Sequence, residues 1–295
     1  MRILLTIALL VLTAACSAQP DDAAQGGKKK KGGKKKSRTE AVAVPGLTLT
    51  GSLANMTESS GLALGPDPGT FYTHGDHGNR AELCQITWDG KLLKRIEVPG
   101  ADNEDWESLA TDDQGRLYLA DVGNNGNDRH DLTIYRFDPR QPTVAAASLR
   151  FSYADQTEFP PAEKDARNFD CEAMVWRAGT LYLFTRDRGQ RRHCRVYALP
   201  DAPGRNVVAK PVGEYALEGE ISGADISPDG RQLALIGQER LFLIALPAGG
   251  GIVGGQSRRI DLPGARQAEG ISFVDNQTLA ITTEQGDIYR YAIGK

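Results

Sequence analysis

Five short segments of this sequence open with pairs of residues two positions apart that are acidic, amide or hydroxyl but for one alanine: Glu58 and Ser60, Asp105 and Glu107, Asp170 and Glu172, Ser222 and Ala224, Gln267 and Glu269. Six of those ten positions are carboxylates. On an extended strand, residues two apart point the same way, so each pair is expected to face one side. Negative groups brought that close repel and raise one another's pKa. A hard divalent cation relieves the repulsion, and calcium accepts carboxylate, amide, carbonyl and water oxygens in loose geometry. Glu58, Asp105, Glu107, Asp170, Glu172 and Glu269 are therefore the expected ligands of a Ca2+ site, with Ser60 and Ala224 breaking the acidic ring.

A second series has the form D-x-G-[NQ]: Asp76-His77-Gly78-Asn79, Asp121-Val122-Gly123-Asn124 and Asp187-Arg188-Gly189-Gln190. Glu284-Gln285-Gly286-Asp287 is a relaxed copy, and Gln238-Glu239-Arg240 departs from the pattern. Such a turn has a purely local use, with Asp capping the bend, Gly at positive φ and Asn or Gln bonding the backbone. Placed on the same face as the acidic pairs, it makes Asp121, Asn124, Asp187, Arg186 and Arg188 a secondary set of site residues. His74 and His77 flank Asp76, and these three are candidates for proton transfer or metal ligation. Arg186, Arg188, Arg191 and Arg192 put positive charge beside the third acidic pair, to bind a phosphate or carboxylate or to balance the carboxylates. Trp106 and Trp176 read as packing residues.

The elements that must position these groups recur. Taking Ser60, Glu107, Glu172, Ala224 and Glu269 as equivalent, the spacings are 47, 65, 52 and 45 residues, which marks a structural repeat. Each opening segment is followed by a second strand, as in Arg116 to Ala120 after the turn Asp112-Asp113-Gln114-Gly115. Third strands follow, as in Leu132 to Phe137, and weaker fourth strands at Lys91 to Val98, Ser148 to Tyr153, Val212 to Leu217 and Ser257 to Leu262. The last repeat ends before its fourth strand, and Leu47 to Leu53, ahead of the first, fits that vacancy. The pattern predicts an all-β chain, a β-propeller of five four-stranded antiparallel blades closed by an N-terminal strand over residues 46–295. The long third interval, Tyr153 to Phe169, reads as an inserted loop. Folded as a sheet, it would make six blades.

The chain has 295 residues, 40% hydrophobic and 25% charged, enough for one large β domain with a core. The net charge of -3 hides an asymmetry: nine of the 35 basic residues, but three of the 38 acidic ones, precede Ala41. From Ala41 on, 26 basic residues face 35 acidic ones. An acidic domain excludes nucleic acid as the main ligand and favours cations, basic partners or metal-bridged anions.

Residues 1–15 read as a signal peptide, with Ile3 to Leu12 of the length of an apolar export core and too short to span a bilayer. Thr13-Ala14-Ala15-Cys16 resembles a bacterial lipobox. The resemblance implies acylation at Cys16, a membrane anchor and, since Ser17 rather than Asp follows, an outer-membrane destination. Residues 16–45 read as a flexible Lys-rich tether. Cys84, Cys171 and Cys194 remain. Cys171 and Cys194 open strands two spacings apart, about 10 Å, beyond the roughly 7 Å reach of a disulfide.

The folded part is similar to the secreted bacterial propellers grouped with esterase-like phytases, strictosidine synthase and gluconolactonase. The likeness is carried by the openings Glu172-Ala173-Met174 and Glu269-Gly270-Ile271 and by the D-x-G-[NQ] turns. It implies a calcium-type metal in the channel mouth on Glu107, Glu172 and Glu269, and hydrolysis of phosphoesters or lactones. No nucleophile elbow, zinc motif or phosphate loop accompanies it. The expectation is thus an envelope lipoprotein that binds a divalent cation and uses it to hydrolyse an anionic small molecule bridged by the metal. The alternative is a noncatalytic module that docks an envelope protein or the cell wall.

Overall fold

The computed structural model describes residues 44–54, 56, 58–217 and 219–294. The expected signal peptide, the acylated Cys16 and nearly all of the tether lie outside these residues. Ala41–Lys295 forms one compact unit.

Strand β1 (Leu47–Ser52) comes first. Four antiparallel meanders follow: β2 (Ser59–Leu64), β3 (Thr70–Gly75), β4 (Glu82–Thr87), β5 (Leu92–Glu97); β6 (Trp106–Thr111), β7 (Leu117–Asp121), β8 (Thr133–Phe137), β9 (Ala147–Tyr153); β10 (Asp170–Arg177), β11 (Thr180–Arg186), β12 (His193–Pro200), β13 (Asn206–Ala216); and β14 (Ile221–Ile226), β15 (Gln232–Gly237), β16 (Arg240–Ala245), β17 (Ser257–Asp261). The last group is β18 (Ala268–Asp275), β19 (Thr278–Thr283) and β20 (Asp287–Ala292), completed by β1 paired antiparallel to β20. The first strand thus takes the place that the strand count leaves vacant. Inner strands touch in the order β2, β6, β10, β14, β18 and back to β2, a closed β-propeller ring.

Two departures are local. Strand β13 starts at Asn206, six residues before the expected Val212, and its extra length pairs parallel to β9, joining the second and third meanders. Residues 154–169 hold a single 3-10 turn, Lys164–Ala166, and no strand, so this insertion is a loop.

The local sequence explains the hairpins. Asp112 accepts the N–H groups of Gln114 and Arg116 at 2.9 Å each, and Gly115 takes a φ of +74° that costs a Cβ-free residue little. Burial follows position in the ring. Strands β3, β7 and β19 are buried throughout, because neighbouring sheets cover both their faces, while the outer strands β5 and β17 are almost wholly exposed or half-buried. The core is divided into wedges between adjacent sheets. Trp106, fully buried, packs with Tyr72, Leu83 and Leu119 between the first and second meanders, and Phe71, Ile86 and Ile288 seal the fifth against the first. Each such aliphatic side chain contributes about 1.5–3 kcal/mol by leaving water. The three described cysteines are free and buried, with no bridge between Cys171 and Cys194.

Candidate metal centre and channel mouth

Every inner strand carries a register break at the same level. The ladder slips between Ser60 and Ala63, Trp106 and Ser108, Cys171 and Ala173, Ile221 and Gly223, and Ala268 and Gly270. An extra residue there is unpaired and re-aimed. The bulged residues are Glu107, Glu172, Ser222 and Glu269, and in the first meander the break holds Gly61, in the left-handed region at φ +61°. This corrects one expected equivalence: Ser222, not Ala224, shares the level of the three glutamates, whereas Ser60 lines the cavity with them as expected. Equivalence by sequence likeness fails where a bulge sets the level, so the spacing misplaced one of the five.

Around this level lies a cavity of about 200 Å³, lined by Glu58, Asp76, Glu107, Glu172, Glu269 and Glu284 together with Arg186 and Arg188. The expected carboxylates converge, but they fall into two halves. In one, ligand oxygens of Asp76, Asp105 and Glu107 lie within 4.8 Å of one another. Burial, then the charge of Asp76, pushes Asp105 up to about 6. Burial, then Glu172 and Asp76, drives Glu107 well above the usual carboxylate range, and Asp76 is raised chiefly by burial. Gly123 makes room for the cluster, since a Cβ there would stand 2.2 Å from Asp105 Oδ2 and 2.6 Å from Glu107 Oε1. Three convergent carboxylates whose pKa values are raised, chiefly by burial, fit a hard cation with oxygen ligands.

In the other half the carboxylates are engaged. Glu172 Oε1 accepts Arg186 Nη1 at 3.2 Å and Arg188 Nη2 at 2.8 Å. Arg188 Nε also donates to Asp170, whose Oδ1 takes the Asn124 N–H at 2.6 Å. Arg186 reaches on to Glu220, which Arg191 meets at 3.2 Å. Asp170 and Glu172, expected beside Asp105 and Glu107 on one ion, are here paired with guanidinium groups, and it is Asp76 that lies with Asp105 and Glu107. Glu58 and Glu269 line the cavity outside the triad. Burial, opposed by Arg186, pushes Glu269 up to about 7.

The acid–base candidates also separate. His74 is fully buried, edge-on to Trp106 at 5.4 Å, and bonds the Gly75 carbonyl through Nδ1 at 3.1 Å. Burial pushes its pKa down to about 4, which makes it a neutral core residue that does not line the cavity. His77 stands on the rim with its side chain 75% exposed, bonded to the Glu104 carbonyl and 3.9 Å from Asp105.

The D-x-G-[NQ] copies are not equivalent. Asp121 belongs to the ladder, paired with Trp106, whereas Asp76 and Asp187 follow the ends of their strands. Asp187 has the purely local role, accepting N–H groups of Gly189, Gln190, Arg192 and His193. Asp121 accepts the Asp105 N–H at 3.0 Å and both terminal nitrogens of Arg129 at 3.1 Å. Sequence reading missed Arg129, Glu284 and Gln238. Of these, Glu284 stood within the relaxed turn copy and Gln238 within the departing one, while Arg129 carried no signal because it belongs to no repeated motif.

Over the fourth meander the turn between β15 and β16 is two residues, Gln238 and Glu239. No loop walls the mouth there. A larger cavity of about 450 Å³, lined by Arg191, Glu239, Arg240, Phe242 and Arg259 among others, adjoins the mouth through Gln238, which lines both.

No family profile matches the chain, and no curated protein matches it in sequence. Among solved structures it is similar to a PQQ-bound aldose sugar dehydrogenase from Streptomyces coelicolor (15% identity, 85% of this chain and 99% of that one, TM-score 0.47). It is also similar to a gluconolactonase from Xanthomonas campestris (16%, 83% and 89%, TM-score 0.43). A Bacteroides thetaiotaomicron protein of unknown function aligns at 12% identity over 83% and 75% of the two chains, with a TM-score of 0.48. At these identities and scores the likenesses say nothing about activity, and the propeller stands on its own strand pairing.

Proposed function

We propose that the channel mouth binds a hard divalent cation of the calcium type on Asp76, Asp105 and Glu107 and hydrolyses a lactone or phosphoester there. The convergence of these three raised-pKa carboxylates around the space left by Gly123 carries the reading. Bound there, such an ion would polarise a carbonyl or phosphoryl oxygen as a Lewis acid. Glu269, with a pKa of about 7 and facing the same cavity, takes a proton from the attacking water and returns it to the leaving oxygen. Arg186 and Arg188, held by Glu172, Asp170 and Glu220, form the opposite wall against which the substrate lies. A mouth of about 200 Å³ is smaller than the roughly 300–1,000 Å³ of most ligand pockets, so the reacting group sits in the mouth and the remainder lies in the groove beyond Gln238.

We also infer, from the lipobox alone, that Cys16 anchors the chain to a bacterial envelope membrane. Among the described residues no helix is long and apolar enough to cross one.

The test is calorimetric titration of calcium into the chelator-stripped full chain, repeated with Glu107→Gln, and then an assay of lactone and phosphoester hydrolysis with and without the ion. Saturable heat that Glu107→Gln abolishes, followed by calcium-dependent turnover, supports the reading. No heat overturns the cation site, and binding without turnover of either substrate class leaves a cation-dependent binding module.

A further inference from the structure

The connection between β7 and β8, residues 122–132, is tied down on both sides of the candidate cation site. Arg129, with a side chain 13% exposed, folds back beneath it. Its Nη1 donates to Asp121 Oδ1 at 3.1 Å and to the Gly123 carbonyl at 2.9 Å, and its Nη2 donates to Asp121 Oδ1 at 3.1 Å. Nη2 also lies 3.6 Å from Glu104 Oε2, and Nε donates to Asp131 at 3.1 Å. The backbone N–H of Arg129 is held by Asn124 Oδ1 at 3.0 Å. One planar guanidinium therefore binds the two segments that enclose the acidic cluster. Through Asp121 it grips the N–H of Asp105, and through the Gly123 carbonyl it sets the glycine that backs the carboxylates of Asp105 and Glu107. Gly123 and Val122 in turn donate to the Asp105 carbonyl at 3.1 Å each.

We propose that Arg129 is a positioning residue for the cation site: by fixing Asp121 and Gly123 together, it decides whether the Asp105 carboxylate reaches a bound ion. This rests on the cation reading above. The fork geometry of arginine matters, because a lysine ammonium is a point charge on a flexible stem. Partners of this kind, one step removed from the ligands, typically change metal affinity about 10–100-fold.

Terbium separates this role from loop packing. Trp106 sits between two of the proposed ligands in sequence, so Tb3+ bound at the cluster should give tryptophan-sensitised emission. Its lifetimes in H2O and D2O count the water molecules on the ion. For the full chain we expect emission that calcium displaces. Arg129→Met should leave at least one more water on the ion and weaken calcium competition on the order of 10-fold, and Arg129→Lys, which keeps the charge and spares the fold, should fall between. Packing alone would lower the melting temperature of the metal-free protein without changing the water count. Emission in the parent chain with an unchanged water count and unchanged calcium competition in both variants overturns the role of Arg129. Absence of sensitised emission and of calcium heat in the parent chain overturns the cation reading itself, and the inference with it.

Discussion

Gly123 packs against Asp105 so closely that a Cβ on the glycine would stand 2.2 Å from Asp105 Oδ2. The glycine of this turn is needed for space at the carboxylates, in contrast to Gly78, whose φ of +71° is the reason for its type. Gly123→Ala should thus leave the fold and its melting temperature nearly unchanged while weakening calcium binding at least about tenfold, the scale of a disturbed ligand setting. Calorimetry on the variant checks this, and an unaltered affinity would place the ion elsewhere.

Stability of the metal-free protein should fall as pH rises through the acid to neutral range. Glu269, at about 7, and Asp105 and Asp225, each at about 6, all lie above the values near 4 of an unfolded chain. Between pH about 4.5 and 7 these three groups bind more protons folded than unfolded, together outweighing the opposite contribution of His74, lowered to about 4, so unfolding free energy declines as pH increases. Burial is the first cause in each case. Calcium should reverse the trend by replacing the protons on the cluster. Melting curves from pH 4.5 to 7.5 in chelator and in calcium test the sign, which a rise in chelator would refute.

Removing one guanidinium from the opposite wall should be costly. Arg188→Met strips Glu172 and Asp170, whose carboxylates are almost fully buried, of a charge partner. Breaking such a pair typically costs about 3 kcal/mol, read as a lower denaturant midpoint. Adding Glu172→Gln should recover part of the loss, because it removes a charge left without its partner; no recovery would mean that Arg188 acts through packing.

Thiol chemistry offers an independent check on the folded core. Cys84, Cys171 and Cys194 are buried, and desolvation raises all three thiols. An aromatic disulfide reagent should label them at the rate of global unfolding. Fast labelling of any of them in the native state would show an opening absent from this structure.

Much of this was legible in the chain. The second strand Arg116 to Ala120 after its turn residues, the repeat of the opening segments and the vacancy filled by Leu47–Ser52 are local or counting signals, and all reappear in the strand pairing. The convergence of Glu58, Glu107, Glu172 and Glu269 on one cavity was also readable, because a repeated strand places repeated residues at one level.

Sequence by itself determined the fold class, the closing strand and the acidic character of the channel mouth, since each depends on residue type and interval along one strand. Tertiary structure alone decided how the charges are shared. Which carboxylates Arg186 and Arg188 neutralise, how burial silences His74 beside Trp106, and that Arg129 holds Asp121 against Asp105 all depend on side-chain distances between different strands and turns, which no residue interval fixes. The bulge at each inner strand shows the same limit: a single unpaired residue shifts which side chain faces the axis, and it is visible only in the pairing of one strand with the next.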